Sequence, residues 1–292
     1  MIYDIDLKIS YDYDQPANAG RHLLRLKPAT LAGEQSVVSM VLNIEPEAEE
    51  RVDKSDFFGN EAVEIAYRSP HKKIVFDLKC RVDRHAPDRG VIVSPDLPRL
   101  GGEVAAINTL APDSPHHFLG RSPRVRPAPE MDAYTEVVVR EGMTAFKLVQ
   151  ALAEALHRDM KFDPKATTVD TSPEEAFAGR HGVCQDFAHI MIACLRGAGV
   201  PAGYVSGFLR TIPPKGKQRL SGADAMHAWV RAWCGAEAGW VEYDPTNNLL
   251  VADDHIVIAR GRDYSDVSPV KGVLRTAGSQ VTKQSVDVIP LG

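Results

Sequence analysis

"GRHGVCQDFAHIMIACLRGAG", Gly179–Gly199, is the stretch on which the reading of this chain turns. After Asp186 the residues are apolar nearly all round: Phe187, Ala188, Ile190, Met191, Ile192, Ala193, Cys194 and Leu195. One apolar stripe marks a surface helix, whereas apolar residues on every side mark a helix buried in a core. Gly197 and Gly199 supply its end. Cys184 therefore falls at or just before the first turn, where unpaired backbone N–H groups and the helix dipole favour a thiolate. The same N–H groups suit an oxyanion formed at that spot. Cys194, by contrast, lies on the buried shaft and should be inert. A thiol at Cys184 can be a packing group, a metal ligand or a nucleophile waiting for a base.

Downstream, "AMHAWVRAWC" alternates Met226, Ala228, Val230 and Ala232 with His227, Trp229, Arg231 and Trp233, the two-residue period of a strand. His227 lies near its start, after the loop "TIPPKGKQRLSGADA". "GWVEYDPTNNLL" follows, with Trp240, Glu242 and Asp244 on one face of a short strand that Pro245 and the Asn pair end. A turn at "GAEAG" would make the two strands adjacent and antiparallel, setting a carboxylate beside an imidazole. A cysteine at a helix tip facing that pair would complete a nucleophile, base and orienter.

Upstream, the first third reads as β. "YDIDLKISYDY" puts Ile5, Leu7, Ile9 and Tyr11 on one face; "QSVVSMVLNIEP", "NEAVEIAYRS" and "KKIVFDLKCRVDRH" continue the signal. Strands at this spacing predict an antiparallel sandwich, and His22, His71 and His85 in it read as packing or surface residues. From about Ala86 to Pro129 repeated prolines break regular structure and predict a long connection packed over both domains. His116 and His117 within it read as solvated loop residues. The spacing then predicts an amphipathic helix after the cap Thr144, with Phe146, Val149, Leu152, Ala153, Leu156 and Met160 inward. A short helix is expected after Ser172, with Pro173 in its first turn and Gly179 closing it.

Composition limits the class. A hydrophobic content of 44% against 25% charged residues is that of a globular chain with a sizeable core. The net charge of −5, with Lys and Arg scattered, gives no basic stripe for nucleic acid or an anionic membrane. The N-terminus lacks the basic start and apolar core of a signal peptide, and no stretch reaches the length of a membrane span. A cytoplasmic protein with free thiols is expected, because Cys80, Cys184, Cys194 and Cys234 match no zinc-ribbon spacing. Oligomeric state is not readable.

"GVCQDFAHIMIACLRGAGVPAGYVSGFL", "HAWVRAW" and "GWVEYDPTN", in that order, closely resemble the core of the bacterial transglutaminase-like superfamily. "DFFGN" and its β-rich surroundings resemble the N-terminal domain attached in bacterial members, and "DDHIVIARGRDYSDVSPVKGV" resembles their usual continuation. The resemblance implies an α+β protein: a β-rich N-terminal domain over 1–125, then a papain-like core with a C-terminal extension over 126–292. In that core a helix carrying the cysteine packs on an antiparallel sheet bearing His and Asp. It implies Cys184 as nucleophile, His227 as general base and acid, and Asp244 as the residue holding the imidazole. Such enzymes attack a carboxamide or peptide carbonyl of a protein or peptide and resolve the thioester with water or an amine; no metal or organic cofactor is implied. Papain-like proteases place an oxyanion-hole Gln before the cysteine. "AFAGRHGV" has none, which leaves Gln185 or Trp229 as weak candidates beside the Cys184 N–H. Asp186 either shapes the site or complements the helix N-terminus, the latter being favoured.

Two other readings stand beside this one. His181, Cys184, Asp186 and His189 could be read as a soft-metal cluster, although His189 should point to another helix face and structural zinc sites gather more thiols. A transglutaminase fold can also serve as a catalytically silent scaffold, which the intact Cys, His and Asp argue against. The loop before His227 is either a flap over the substrate or a solvated surface loop. His255 and Asp263 fall where they can approach the site, though no spacing requires it.

Overall fold

Residues 1–85, 90–211, 222 and 224–291 are described by a computed structural model. The first part of the chain gives β1 (Ile2–Leu24), β2 (Gln35–Glu45), β3 (Glu50–Ser55), β4 (Glu61–Tyr67) and β5 (His71–Arg84). Next come α1 (Leu97–Ala105), a 3-10 turn at Pro115–Phe118, α2 (Pro129–Val138), α3 (Ala145–Asp159), β6 (Lys161–Phe162), α4 (Pro173–Gly179) and β7 (His181–Gly182). The remainder is α5 (Cys184–Gly197), β8 (Ala202–Leu209), β9 (Ala225–Trp233), β10 (Trp240–Asp244), β11 (Leu249–Leu250), β12 (His255–Gly261), α6 (Tyr264–Val267), β13 (Val270–Arg275) and β14 (Gln280–Leu291).

The N-terminal sandwich is one curled antiparallel sheet of seven strands, and β1 is its spine. At 23 residues β1 is far longer than an ordinary strand, and it changes partners along its length. Its first half lies between β5 and β14; its second half lies between β4 and β13. The change falls in "DQPANAG", Asp14–Gly20, where Pro16 offers no N–H and Ala19 takes a positive φ of 58° beside a register shift. Alternation then decides the inside: Tyr3, Ile5, Leu7 and Ile9 of β1 face Ile74, Phe76, Leu78 and Val82 of β5 in one core.

The connection from 86 to 129 differs from its expected irregularity. α1 and α2 both form at prolines, because Pro98 and Pro129 sit in first turns, where a missing N–H costs nothing. Asp96 caps α1 by accepting the Arg99 N–H. The short helix forms as expected, with a reciprocal capping box between Ser172 and Glu175; Arg180, rather than Gly179, takes the left-handed closing conformation.

α5 runs through the second core, with every residue from Gln185 to Leu195 buried, and packs on β8 and β9. Its sheet has the order β11-β10-β9-β8-β12. β12 is an edge strand whose open polar groups would seek partners. The first sheet supplies them: Gln35 donates to Val257 O and accepts from Val257 N, and Asn60 does the same with the backbone of Arg260. The two sheets are joined by side chains acting as a missing strand. The tail of the 126–292 span leaves the core: β13 and β14 return to β1 and lie in the first sheet. Among the described residues no helix is long and apolar enough to cross a membrane.

Candidate active site

Cys184 is the first residue of α5 and is half-buried. The helix start is fixed by Asp186, whose Oδ2 accepts the Val183 N–H at 2.8 Å and the Thr167 hydroxyl at 2.6 Å. This is the helix-complementing role expected of Asp186. Burial pushes its carboxyl up, against the hydrogen bonds from Thr167 and Val183. Gly182 is required beside it, since a Cβ there would stand 2.6 Å from Asp186 Oδ2. Gln185 is buried, and its amide makes only a long contact of 3.4 Å to Val169 O.

His227 comes from the third position of β9, and Asp244 ends the neighbouring antiparallel β10. The turn between them holds Gly235 and Gly239, both at positive φ, as "GAEAG" requires. His227 Nε2 lies 2.8 Å from Asp244 Oδ2, and both side chains are buried. The Cys184 thiol at the start of α5 is close enough to the same imidazole to act on its charge. Burial alone would lower the pKa of His227, but the charges of Cys184 and Asp244 push it up to about 10. The structure thus brings Cys184, His227 and Asp244 together.

Asp244 is fully buried and fully engaged. Oδ1 accepts the N–H groups of Thr246 at 2.9 Å and Asn247 at 3.2 Å. Oδ2 accepts the Asn247 amide at 2.7 Å and also faces His255 Nε2 at 3.2 Å. Burial opposes its charge, yet the donors from His227, His255 and Asn247 hold the carboxyl far below the usual carboxylate range.

Trp229 lies on the face of β9 that carries His227, over Gly207, where any Cβ would meet its ring at 2.3 Å. Its Nε1–H is committed to Glu242 Oε2 at 2.8 Å and its side chain is fully buried, so the indole is not free to serve an oxyanion. Glu242 in turn pairs with Arg260 at 2.5 Å, and Arg231 stacks 3.9 Å above the Trp240 ring. Glu242 is thus a buried structural carboxylate beside the candidate catalytic one.

The alternative metal set does not converge. Asp186 is taken up by Val183 and Thr167, while His189 accepts the Tyr264 N–H and packs on Tyr204. Among the described residues, one group is dense enough to bracket a metal: His227, Asp244 and His255, with ligand atoms within 4.8 Å of one another. Its nitrogens already hydrogen-bond the carboxylate. Asp263 caps α6 and accepts the Arg124 N–H, away from this group. The loop proposed as a flap, 211–225, falls almost wholly outside the described residues. His255, expected only to be able to approach the site, stands against Asp244, whereas Asn247 was not singled out; "DPTNN" carried its signal, a cluster of short polar residues after a strand.

Known proteins resemble this chain in sequence and in fold. The transglutaminase-like superfamily core matches residues 132–245, and the bacterial transglutaminase-like N-terminal region matches residues 3–83. An uncharacterized protein of Mycobacterium tuberculosis is 36% identical over 266 residues, 88% of this chain and 82% of its own. A protein-glutamine gamma-glutamyltransferase of Pseudomonas aeruginosa is 35% identical over 103 residues, 34% of this chain but 15% of that protein. In fold, the chain is similar to a solved candidate cysteine protease from Cytophaga hutchinsonii, with a TM-score of 0.77 at 19% identity, covering 100% of this chain and 91% of that one.

Proposed function

This chain belongs to the transglutaminase-like superfamily, and we propose that it is a cysteine-dependent amide or peptide-bond hydrolase or acyltransferase working through a thioester. The observation that carries the reading is the buried His227 imidazole set 2.8 Å from Asp244 Oδ2, in a site where the charge of Cys184 also acts on the ring. Cys184 is the nucleophile, His227 the base and then the acid, and Asp244 the orienter.

The thiolate adds to the amide carbonyl, and the oxyanion meets the Cys184 N–H at the open first turn of α5. The C–N bond then breaks as His227 passes its proton to the leaving amine or ammonia. The acyl group is left on sulfur. Water, deprotonated by His227, attacks the thioester, releasing a carboxylate and restoring the thiol. An amine in place of water would give transfer. Hydrolysis is favoured, because transfer requires water to be held off and no residue of the site announces that. The substrate class is a protein or peptide amide.

Iodoacetamide labelling across pH, mapped to the modified cysteine in the native protein and in His227→Ala, tests the pair. Fast labelling of Cys184 below pH 7, slowed by the histidine change, is expected. Cys194 should stay sluggish, since burial pushes its thiol up to about 11. Slow labelling indifferent to His227 would move the silent scaffold to first place, as would a Cys184→Ala variant that keeps every amidase or peptidase activity of the native chain.

A further inference from the structure

Asp244 holds two histidines where the proposed chemistry needs one. His255 Nε2 stands 3.2 Å from the same Oδ2 that binds His227. The His255 ring is buried against the edge of Trp229, with centroids 5.1 Å apart. Its other nitrogen, Nδ1, is buried and, among the described residues, without a partner. A lone carboxylate oxygen can only accept, so the proton belongs on Nε2 and Nδ1 is bare.

The backbone of His255 is pinned from the first sheet. The Arg84 guanidinium, at the end of β5 and almost fully buried, donates Nε to the His255 carbonyl at 2.9 Å. Its neighbour Asp254 accepts the Tyr3 hydroxyl at 2.9 Å and pairs with Arg210. Arg84 itself is neutralised by Glu34, and Glu242, behind Trp229, by Arg260. Arg84 and Arg260 share Glu34, and Arg260 also meets Glu242, so the charges near the ring form one network, and what His255 itself delivers to Asp244 is one N–H.

We infer that His255 is a positioning residue: it supplies the second N–H donor that keeps Asp244 ionised while His227 gives up and regains its proton. The inference deepens the nucleophile–base–orienter reading and rests on it. A fully buried carboxylate facing a single imidazole can draw the shared proton toward itself when the imidazolium forms. A second donor on the same oxygen spreads that charge and weakens its pull on His227. The N-terminal sheet thereby takes part in the site, through Arg84 and then His255, without touching substrate.

Nitrogen-15 ring shifts of His255 in the native protein give the first test: a protonated Nε2 and a bare Nδ1 are expected, and the opposite tautomer overturns the inference. The second follows the His227 titration by carbon-13 ring shifts in Cys184→Ser, which removes the thiolate and isolates the field of Asp244. Adding His255→Leu should raise the His227 midpoint by about one unit, roughly a tenfold gain in proton affinity. His255→Gln, which can return an N–H to Oδ2, should leave it where it was. An unmoved midpoint in the Leu variant, or a Gln variant that moves as far as Leu, overturns the inference. Should the Leu variant not fold, the tautomer and the Gln variant decide. Failure of the nucleophile reading is distinguishable, since it appears as native Cys184 labelling indifferent to His227→Ala.

Discussion

Two pairs of buried histidines occupy the two sheets, and they behave in opposite ways. In the first sheet His22 and His71 lie among Tyr13, Tyr67 and Phe76, and the Nε2 of each is buried with no partner among the described residues. In the second sheet His227 and His255 share the carboxylate of Asp244. Burial acts on His22 and on His227 in the same direction, against the charged imidazole. His22, with desolvation first and His71 adding to it, is lowered, whereas His227 is raised to about 10. Burial does not make a histidine functional. What separates the pairs is an anion, kept charged in a dry place by five donors, and a thiol whose charge acts on His227.

The comparison breaks most completely at its anion. Asp244→Asn should cut turnover of an amide substrate by about 10³–10⁴-fold, by the scale of orienter losses in serine triads. It should also bring the His227 titration down toward that of His22. Equal activity in the Asn variant, from initial rates at pH 7, would remove Asp244 from the mechanism.

Trp229→Phe sharpens the contrast between the site and its support. It leaves Glu242 buried with one donor fewer, an expected loss of about 1–3 kcal/mol in urea unfolding. The pH dependence of Cys184 labelling should keep its shape, because the indole is committed to Glu242; a changed shape would restore Trp229 as a group of the site.

The lowered histidine gives a smaller effect, and its sign is fixed by linkage. The unfolded chain binds a proton at His22 that the native sheet refuses, so this residue's stability is present at and above the ordinary histidine pKa of about 6.5 and is lost as pH falls through the folded value. Urea midpoints compared between pH 7 and 5 should fall less in His22→Phe than in the native protein. A parallel fall in both would sink the claim. Smallest of all is Asp4→Asn, which removes a solvent-exposed carboxylate from Arg81 and should leave the urea midpoint unmoved. The same charge pairing counts for little once water shares it.

What could be read without coordinates follows from how local each signal is. α5 was legible because an apolar surface on all sides admits one environment, and the β9–β10 hairpin because Gly235 and Gly239 bracket a turn of set length. α1 and α2 were hidden because Pro98 and Pro129 were read as breakers, when a first turn tolerates them. β14 gave little alternation to read: most of "QVTKQSVDVIPL" is exposed, with Val286 and Val288 buried. The partners of Trp229 and His255 were out of reach for a different reason. Alternation tells which face a side chain takes, but the atom it meets there depends on the register of three strands and on Gln35, Asn60 and Arg84 from another sheet.

The long first strand has a consequence for how the molecule is made. Residues 2–13 lie between β5, which follows within the first 84 residues, and β14, whose Leu291 pairs with Ile2. During synthesis the front half of β1 keeps one edge open until residues 280–291 have been made. The N-terminal sheet therefore cannot close until β14 is available to pair with β1. Its closing step joins the most distant parts of the chain, the kind of contact that slows folding most.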